Sequence, residues 1–493
     1  MTAPARLPRP AAAYTAYTAH AAEPAPELLV PLGDVLAGLS HALDLTSGQP
    51  AGHTLRSCAI AGRLGAELGL GDAGRAALHY AVLLKDAGCS SNAARFAALF
   101  GTDDSLAKRR MRVADWQDPL GTVVHSLGTL GAGRPIGARV RAAVALARAP
   151  EPARELIAIR CDRGAEIARM IGFPDATADA IRSLDEHWNG GGYPDGLRGD
   201  AIPLLAQVAN LAQTVELFFT KGREAGGAAA GVAAGVEAAC RVVRLRRARW
   251  FAPALADRVL GWRRDWAWWD ALGGPGASAP WPEEPAAPRL VDEAGLDVVA
   301  RAFAEVIDAK SPYTFRHSAN VAAVAVAVAG VCGLDAAARR RIARAGLLHD
   351  VGKLGVSNQI LDSPRRLTPD ERAAVERHPR DTWEVLSRVG AFAGFAWTAA
   401  THHEKLDGSG YPWGLTAEAL DLPARILAVA DIYEALTADR PYRAGMPPAA
   451  ALAIIARDRG TKLCADAVDA LAAWVGDAGA APPEGPAGAV GDR

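Results

Sequence analysis

Cysteine is sparse in this sequence and unpaired. Cys58, Cys89, Cys161, Cys240, Cys332 and Cys464 are scattered over 493 positions, with no C-x-x-C among them. That distribution argues against a disulfide framework and for a reducing compartment. An excess of either charge is also missing. With 54 basic and 55 acidic residues the net charge is −1, so no global basic surface advertises a nucleic-acid polymer as partner. Long apolar runs are absent as well. The longest, Val321 to Leu334, has 14 residues and is rich in Ala and Gly, too short and too weakly apolar to span a bilayer. The Ala- and Pro-rich N-terminus from Met1 to Pro26 has no apolar core of the signal-peptide kind. These absences together predict a cytoplasmic chain without a membrane partner.

What is abundant is Ala and other helix formers, which predicts an all-α fold. Half of the residues are hydrophobic, and the length exceeds one compact core. Composition shifts divide the chain. Residues 1–27 are expected to be disordered, 28–272 to form one helical domain and 289–476 a second. Between them Gly273 to Pro288, GGPGASAPWPEEPAAP with five prolines, reads as a linker. The Gly/Ala/Pro-rich tail 477–493 reads as disordered. In 241–270, Arg241, Arg244, Arg246, Arg247 and Arg249 precede Trp250, and Trp262, Trp266, Trp268 and Trp269 follow. We read this segment as a helix pair with its Trp residues inward and its Arg residues wet, rather than as a nucleic-acid or membrane face.

The second domain concentrates potential metal ligands: His317, His349, Asp350, His378, His402, His403 and Asp431. Five of the eleven histidines fall in these 115 residues. Their surroundings are apolar: Leu347-Leu348 precedes His349-Asp350, and Ala428-Val429-Ala430 precedes Asp431. Burying imidazole and carboxylate there is costly unless something pairs with them, and a dinuclear cation centre supplies the pairing. Imidazole with carboxylate suits Fe, Mn, Zn or Ni better than Mg or Ca. Lys353 follows His349 by four positions and Asp350 by three, on the same side of a helix. There a cation is placed to hold a phosphate oxygen or to orient a nucleophile.

The segment His349-Asp350-Val351-Gly352-Lys353 resembles the HDxGK motif of the HD phosphohydrolases. His402 to Pro412, HHEKLDGSGYP, is similar to the HD-GYP signature without a gap, and Ala430 to Arg443, ADIYEALTADRPYR, continues the pattern. The resemblance covers roughly 295–475. It implies two tandem HD-type helical domains, with the seven residues above as metal ligands and Asp350 and Lys353 as catalytic groups. Lys353, Asp407, Gly408, Gly410, Tyr411, Pro412, Arg440 and Arg443 are implied at the substrate mouth. It further implies a metal-dependent phosphodiesterase that opens cyclic di-GMP to pGpG or GMP with a metal-bridged hydroxide, using two divalent ions, Fe or Mn first. Some members hold a third metal with a Glu four residues before the first His. Tyr313 stands there, so two ions are expected. Other nucleotide substrates, or a signalling role with weak catalysis, remain the alternatives.

The first domain repeats the pattern. Glu186 to Pro194, EHWNGGGYP, mirrors 404–412. His317 follows His53 by 264 positions, as Asp350 follows Asp86, whereas Tyr411 follows Tyr193 by 218. The first copy thus carries 46 extra residues, placed near 100–150, around DDSLAKRRMRVADW. Its ligand set is broken. Lys85 replaces His349, Cys89 replaces Lys353, Leu184 and Asp185 replace His402 and His403, and Gln213 falls at Asp431; with one gap Cys161 falls at His378. Lys85 brings positive charge where a metal would sit. We read 28–272 as a degenerate copy for scaffolding, dimerisation or ligand sensing, in preference to a metal site built on Cys89, Cys161, His53 and Asp86. The loop Lys85 to Asn92 reads as a helix terminus with Ser/Asn capping rather than as an anion pocket.

Overall fold

The computed structural model describes residues 29–115, 117, 137, 152–274, 288–439 and 444–477. The expected disordered ends and nearly all of the proline-rich linker lie outside the described residues, as do Arg440 and Arg443.

The described chain is helical apart from one antiparallel pair of two-residue strands, β1 (Val30–Pro31) and β2 (Leu290–Val291). The first copy opens with α1 (Leu32–Thr46), α2 (His53–Glu67) and α3 (Asp72–Leu84). After α4 (Ala93–Phe100) and α5 (Asp104–Val113) come α6 (Pro152–Met170) and α7 (Asp175–Arg182). The copy closes with α8 (Leu204–Arg246), which breaks at Gly227, and with α9 (Pro253–Gly261) and α10 (Trp266–Gly273). The second copy runs through α11 (Glu293–Asp308), α12 (His317–Val331) and α13 (Ala336–Leu348). Then follow α14 (Asn358–Leu361), α15 (Pro369–Glu376), α16 (His378–Leu386) and α17 (Ala396–Ala400). Last come α18 (Leu422–Thr437), α19 (Pro448–Ile455) and α20 (Ala465–Asp477).

Local sequence sets these boundaries. Asp335 caps α13 by accepting from the Ala338 N–H at 2.7 Å, and Asp421 caps α18 through Ala424 at 2.9 Å. Thr368 and Glu371 form a capping box at α15, which satisfies two otherwise orphaned backbone donors. His378 and Pro379 open α16, where a missing proline N–H costs nothing. The internal repeat is exact in these elements: α2 and α3 are displaced by 264 positions from α12 and α13, and the start of α8 by 218 from α18.

The inserted residues therefore fall between α3 and α6. The repeat also corrects one correspondence. A Cβ on Gly352 would lie 2.0 Å from the His378 carbonyl oxygen, and one on Gly88 would lie 1.9 Å from that of Arg160. The same crossing of turn and helix thus pairs Arg160, not Cys161, with His378. No gap is needed, because 160 and 378 already differ by 218.

The two copies share one continuous apolar core from Leu32 to Leu471. Strand β1 carries the first copy onto β2 of the second, and α1 packs against both the 351–355 turn and α16. Gly38 lets α1 approach so closely that a Cβ there would lie 2.4 Å from Val389. Trp250, Trp262 and Trp269 are buried as expected, while Trp266 is half-exposed. Arg246 departs from the expected wet face. It is buried with its guanidinium 3.7 Å from the Trp250 ring, and it donates to the Ala114 carbonyl at 2.9 Å. Asn92 precedes α4, but its side chain makes no cap. It donates instead to the Leu156 carbonyl at 2.9 Å. No described helix is long and apolar enough to cross a membrane.

Candidate metal centre and active site

All seven expected ligands converge in the second copy. His317 opens α12, His349 and Asp350 follow the end of α13, His378 opens α16, His402 and His403 follow α17, and Asp431 lies within α18. His349 and Asp350 are not within a continuous helix; α13 stops at Leu348 and a short 3₁₀ turn follows from Val351. That end lets the two side chains point into one centre.

The donor atoms form three overlapping groups, each within 4.8 Å: His317, His349 and Asp431; His349, Asp350 and His402; His378, His402 and His403. Asp350 lies between them. Its Oδ2 is 3.6 Å from His317 Nε2 and 3.3 Å from His349 Nε2. Its Oδ1 is 3.3 Å from His378 Nε2 and 3.7 Å from His402 Nε2. Asp431 Oδ1 stands 3.5 Å from His317 Nε2, and its Oδ2 stands 3.9 Å from His403 Nδ1.

The outer nitrogens fix the rings. His349, His378 and His402 each direct Nδ1 at the carbonyl three residues earlier, at 2.8, 2.7 and 2.7 Å. These contacts leave Nε2 as the lone-pair nitrogen toward the centre. His317 Nδ1 meets Glu434 Oε2 at 2.5 Å. Burial, reinforced by neighbouring imidazoles, holds His402 and His403 well below the usual histidine range, which keeps their lone pairs available. Burial opposes ionisation of Asp350 too, but His349 and Lys353 outweigh it and hold the carboxyl well below its usual range.

These residues fit divalent cations. His349 Nε2 and Asp350 Oδ1 are buried without a hydrogen-bond partner, which is the costly state of a polar atom unless an ion satisfies it. Among the described residues, every such group of donors lies in the second copy. Lys353 Nζ donates to Asp350 Oδ2 at 2.6 Å, and its side chain is 24% exposed, so it also faces the mouth.

The loop 402–416 is held by a residue that sequence reasoning missed. Glu404 accepts the N–H groups of Trp413 and Leu415, both at 2.8 Å. Asp407, expected at the substrate mouth, is exposed and shapes its own turn by accepting from Ser409 N at 3.0 Å and Oγ at 2.6 Å. Tyr411 lies with its ring centroid 4.7 Å from that of His403. Glu434 and Asp308 were also missed. Asp308 receives the Ser318 N–H and hydroxyl behind His317, and burial raises its carboxyl to about 7.

In the first copy the frame persists. Glu216 meets His53 as Glu434 meets His317, and Asp44 accepts from Thr54 as Asp308 does from Ser318. Glu186 accepts from Asp195, Gly196 and Leu197 as Glu404 does from its loop. The centre is different. Lys85 Nζ sits 3.0 Å from His53 Nε2 and bonds Asp86, which Arg112 also bonds. Arg160 pairs with Asp185. Cys89 and Cys161 make only weak contacts, at 3.4 Å to Asp86 and 3.8 Å to Asp185.

Comparison with known proteins agrees with this geometry. Residues 301–466 match the family model for the HD domain. The chain is 38% identical to 3'3'-cGAMP-specific phosphodiesterase 3 of Vibrio cholerae over 445 residues, which cover 90% of this chain and 94% of that protein. The chain belongs to the HD-GYP phosphodiesterases. A second relative of this family, the cyclic di-GMP phosphodiesterase response regulator RpfG of Xanthomonas campestris, is 39% identical over 37% of this chain and 48% of its own length. A crystal structure of a cyclic GMP-AMP specific phosphodiesterase of V. cholerae superposes with a TM-score of 0.61 at 34% identity, covering 91% of this HD-GYP chain and 98% of the other.

Proposed function

We propose that this phosphodiesterase hydrolyses a cyclic dinucleotide at the second copy, with 3'3'-cGAMP tested first and cyclic di-GMP beside it. The observation that carries this reading is the 38% identity to a 3'3'-cGAMP-specific enzyme over 90% of this chain, a span that takes in both copies. The residues that would hold two divalent ions are His317, His349, Asp350, His378, His402, His403 and Asp431. Tyr313 supplies no carboxylate for a third. When bound, such a pair of cations supplies Lewis acidity toward a phosphodiester oxygen.

The chain's own residues do the rest. Lys353, held by Asp350, presents its ammonium to a non-bridging phosphate oxygen. Asp350 and Asp431 both line the centre, 3.6 and 3.5 Å from His317 Nε2, and are placed to orient the attacking water. Water adds to phosphorus in line with the 3' oxygen, the P–O3' bond breaks, and that oxygen leaves with a proton as a 3' hydroxyl. The product is a linear dinucleotide with a 5' phosphate. Tyr411 and His403 wall the mouth, and Glu404 keeps the signature loop closed over them. Arg440 and Arg443 stay in the proposal as phosphate contacts on sequence grounds alone.

The test is turnover by the full chain loaded with Mn²⁺ or Fe²⁺, followed by chromatography of 3'3'-cGAMP and cyclic di-GMP. Linear dinucleotide from wild type and none from Asp350→Ala is expected. No turnover of either compound, or equal turnover by the variant, overturns the reading.

A further inference from the structure

One charged cluster away from the metal centre is buried between the copies. Asp104, the first residue of α5, is 0% exposed and Lys310 is 2% exposed. Lys310 Nζ donates to Asp104 Oδ2 at 2.8 Å, and Lys108 Nζ donates to the same oxygen at 3.2 Å. Asp104 Oδ1 accepts the backbone N–H of Asn358 at 3.0 Å. Asn358 closes the circle: its Nδ2 donates to the Lys310 carbonyl and to Asp362 Oδ2, each at 2.7 Å. Asp362 also accepts from Ser311 Oγ at 2.5 Å.

One carboxylate from the first copy therefore ties together two segments of the second. Lys310 stands seven residues before His317, and Asn358 stands five after Lys353. Both segments end at the catalytic centre, where His317 and Lys353 meet Asp350. The helix that carries Asp104 lies between α3 and α6, the stretch where the first copy is the longer of the two. Its other residues brace it in the first copy: Lys108 donates to the Cys89 carbonyl at 2.8 Å, and Arg112 bonds Asp86.

We propose that Asp104 is a positioning residue for the catalytic centre, supplied by the degenerate copy, which holds the segments 310–317 and 353–358 in register. An exposed ion pair does little of this kind. A buried carboxylate between two ammonium groups is different, because removing it leaves like charges facing each other out of water. Relief then comes from displacing Lys310, and with it the loop that enters α12 at His317. The inference rests on the second copy being the phosphodiesterase site, but not on the choice of cyclic dinucleotide.

The test uses the full chain with Asp104→Asn, which keeps shape and removes charge, and with Lys310→Gln, which leaves Asp104 paired with Lys108 and is the milder change. Two readouts are taken: kcat and KM on 3'3'-cGAMP, and amide hydrogen exchange of the metal-free protein. For Asp104→Asn we expect kcat lower by about tenfold with KM within about twofold. We also expect faster exchange confined to 310–318 and 351–361 while α13 is unchanged. Lys310→Gln gives the same pattern, smaller. The double variant Asp104→Asn/Lys310→Gln regains part of the loss, because the like-charge contact between Lys310 and Lys108 is gone, although Lys108 keeps its buried charge with only neutral acceptors such as the Cys89 carbonyl. Wild-type kcat and exchange in both single variants overturn the proposal, as does a double variant no better than Asp104→Asn. If Asp104→Asn does not fold, wild-type exchange in Lys310→Gln overturns it alone. If wild type turns over no cyclic dinucleotide, the substrate reading fails and the exchange data still judge Asp104.

Discussion

In the second copy the residue that follows α13 is His349; in the first, the residue that follows α3 is Lys85. Around these two positions nearly everything else is kept. Each copy has its Glu behind the first His, its Asp beneath the next helix, its Glu under the signature loop and a cis peptide before the loop proline. What changed is the source of positive charge. Lys85 and Arg160 stand at the places of His349 and His378, and Arg112 of α5 joins Lys85 on Asp86. Burial opposes the Asp86 carboxylate, yet Arg112 and Lys85 hold it well below the usual range. A buried carboxylate needs a counter-charge whether or not a metal supplies it. The first copy has made its own.

That comparison breaks most sharply at its paired aspartates. Asp350→Ala should lower turnover by about a thousandfold or more while the chain stays folded. Asp86→Ala should instead destabilise the chain by about 3–5 kcal/mol, since Lys85 and Arg112 lose their partner. Metal analysis beside a melting curve separates the two, with two ions per wild-type chain and no loss of metal from folded Asp86→Ala.

A smaller contrast lies one step behind the ligands. Glu434→Gln frees the His317 ring and should weaken metal affinity by about 10–100-fold. Glu216→Gln, the matching change, should leave metal content unchanged and appear only in the melting curve. Titration with a competing chelator reads the first effect.

Acid should find the first copy. Burial opposes ionisation of Glu216, but His53 and Arg56 hold it at about 2 against an ordinary 4.5. A carboxyl that titrates lower when folded adds stability that is complete above its unfolded pKa and vanishes as pH falls toward the folded one. Urea midpoints should therefore drop between about pH 4.5 and 2, and Glu216→Gln should flatten that drop. A slope unchanged in the variant would sink the assignment.

The smallest effect concerns backbone. Gly52 and Arg316 hold the same place before α2 and α12, with φ of 83° and 57°. Left-handed backbone costs a non-glycine residue about 1 kcal/mol. Arg316→Gly should raise the melting temperature by a few degrees, roughly what 1 kcal/mol gives, and Gly52→Ala should lower it similarly.

Much of this was legible in sequence. The expected ligands stand out because they fall in motif order, and the all-α repeat follows from constant spacing. Glu434 was legible in principle: it lies three residues after Asp431 and recurs 218 positions earlier as Glu216. It went unread because a single Glu in an apolar helix carries no motif. Arg160 was masked by the adjacent Cys161, which looked more like a ligand than the cation that replaced one. Asp104 gave no signal at all, since its partner Lys310 is 206 residues away and only the packing of copy on copy brings them together.

The shared core between the copies has a consequence for the history of such a gene. A deletion that removed the first copy would uncover Val389, the turn at Gly355 and one half of a strand pair, and would strand Lys310 without its carboxylate. Shortening the gene from this end would therefore cost the second copy part of its packing. The sequence of the first copy is thus constrained wherever it meets the second.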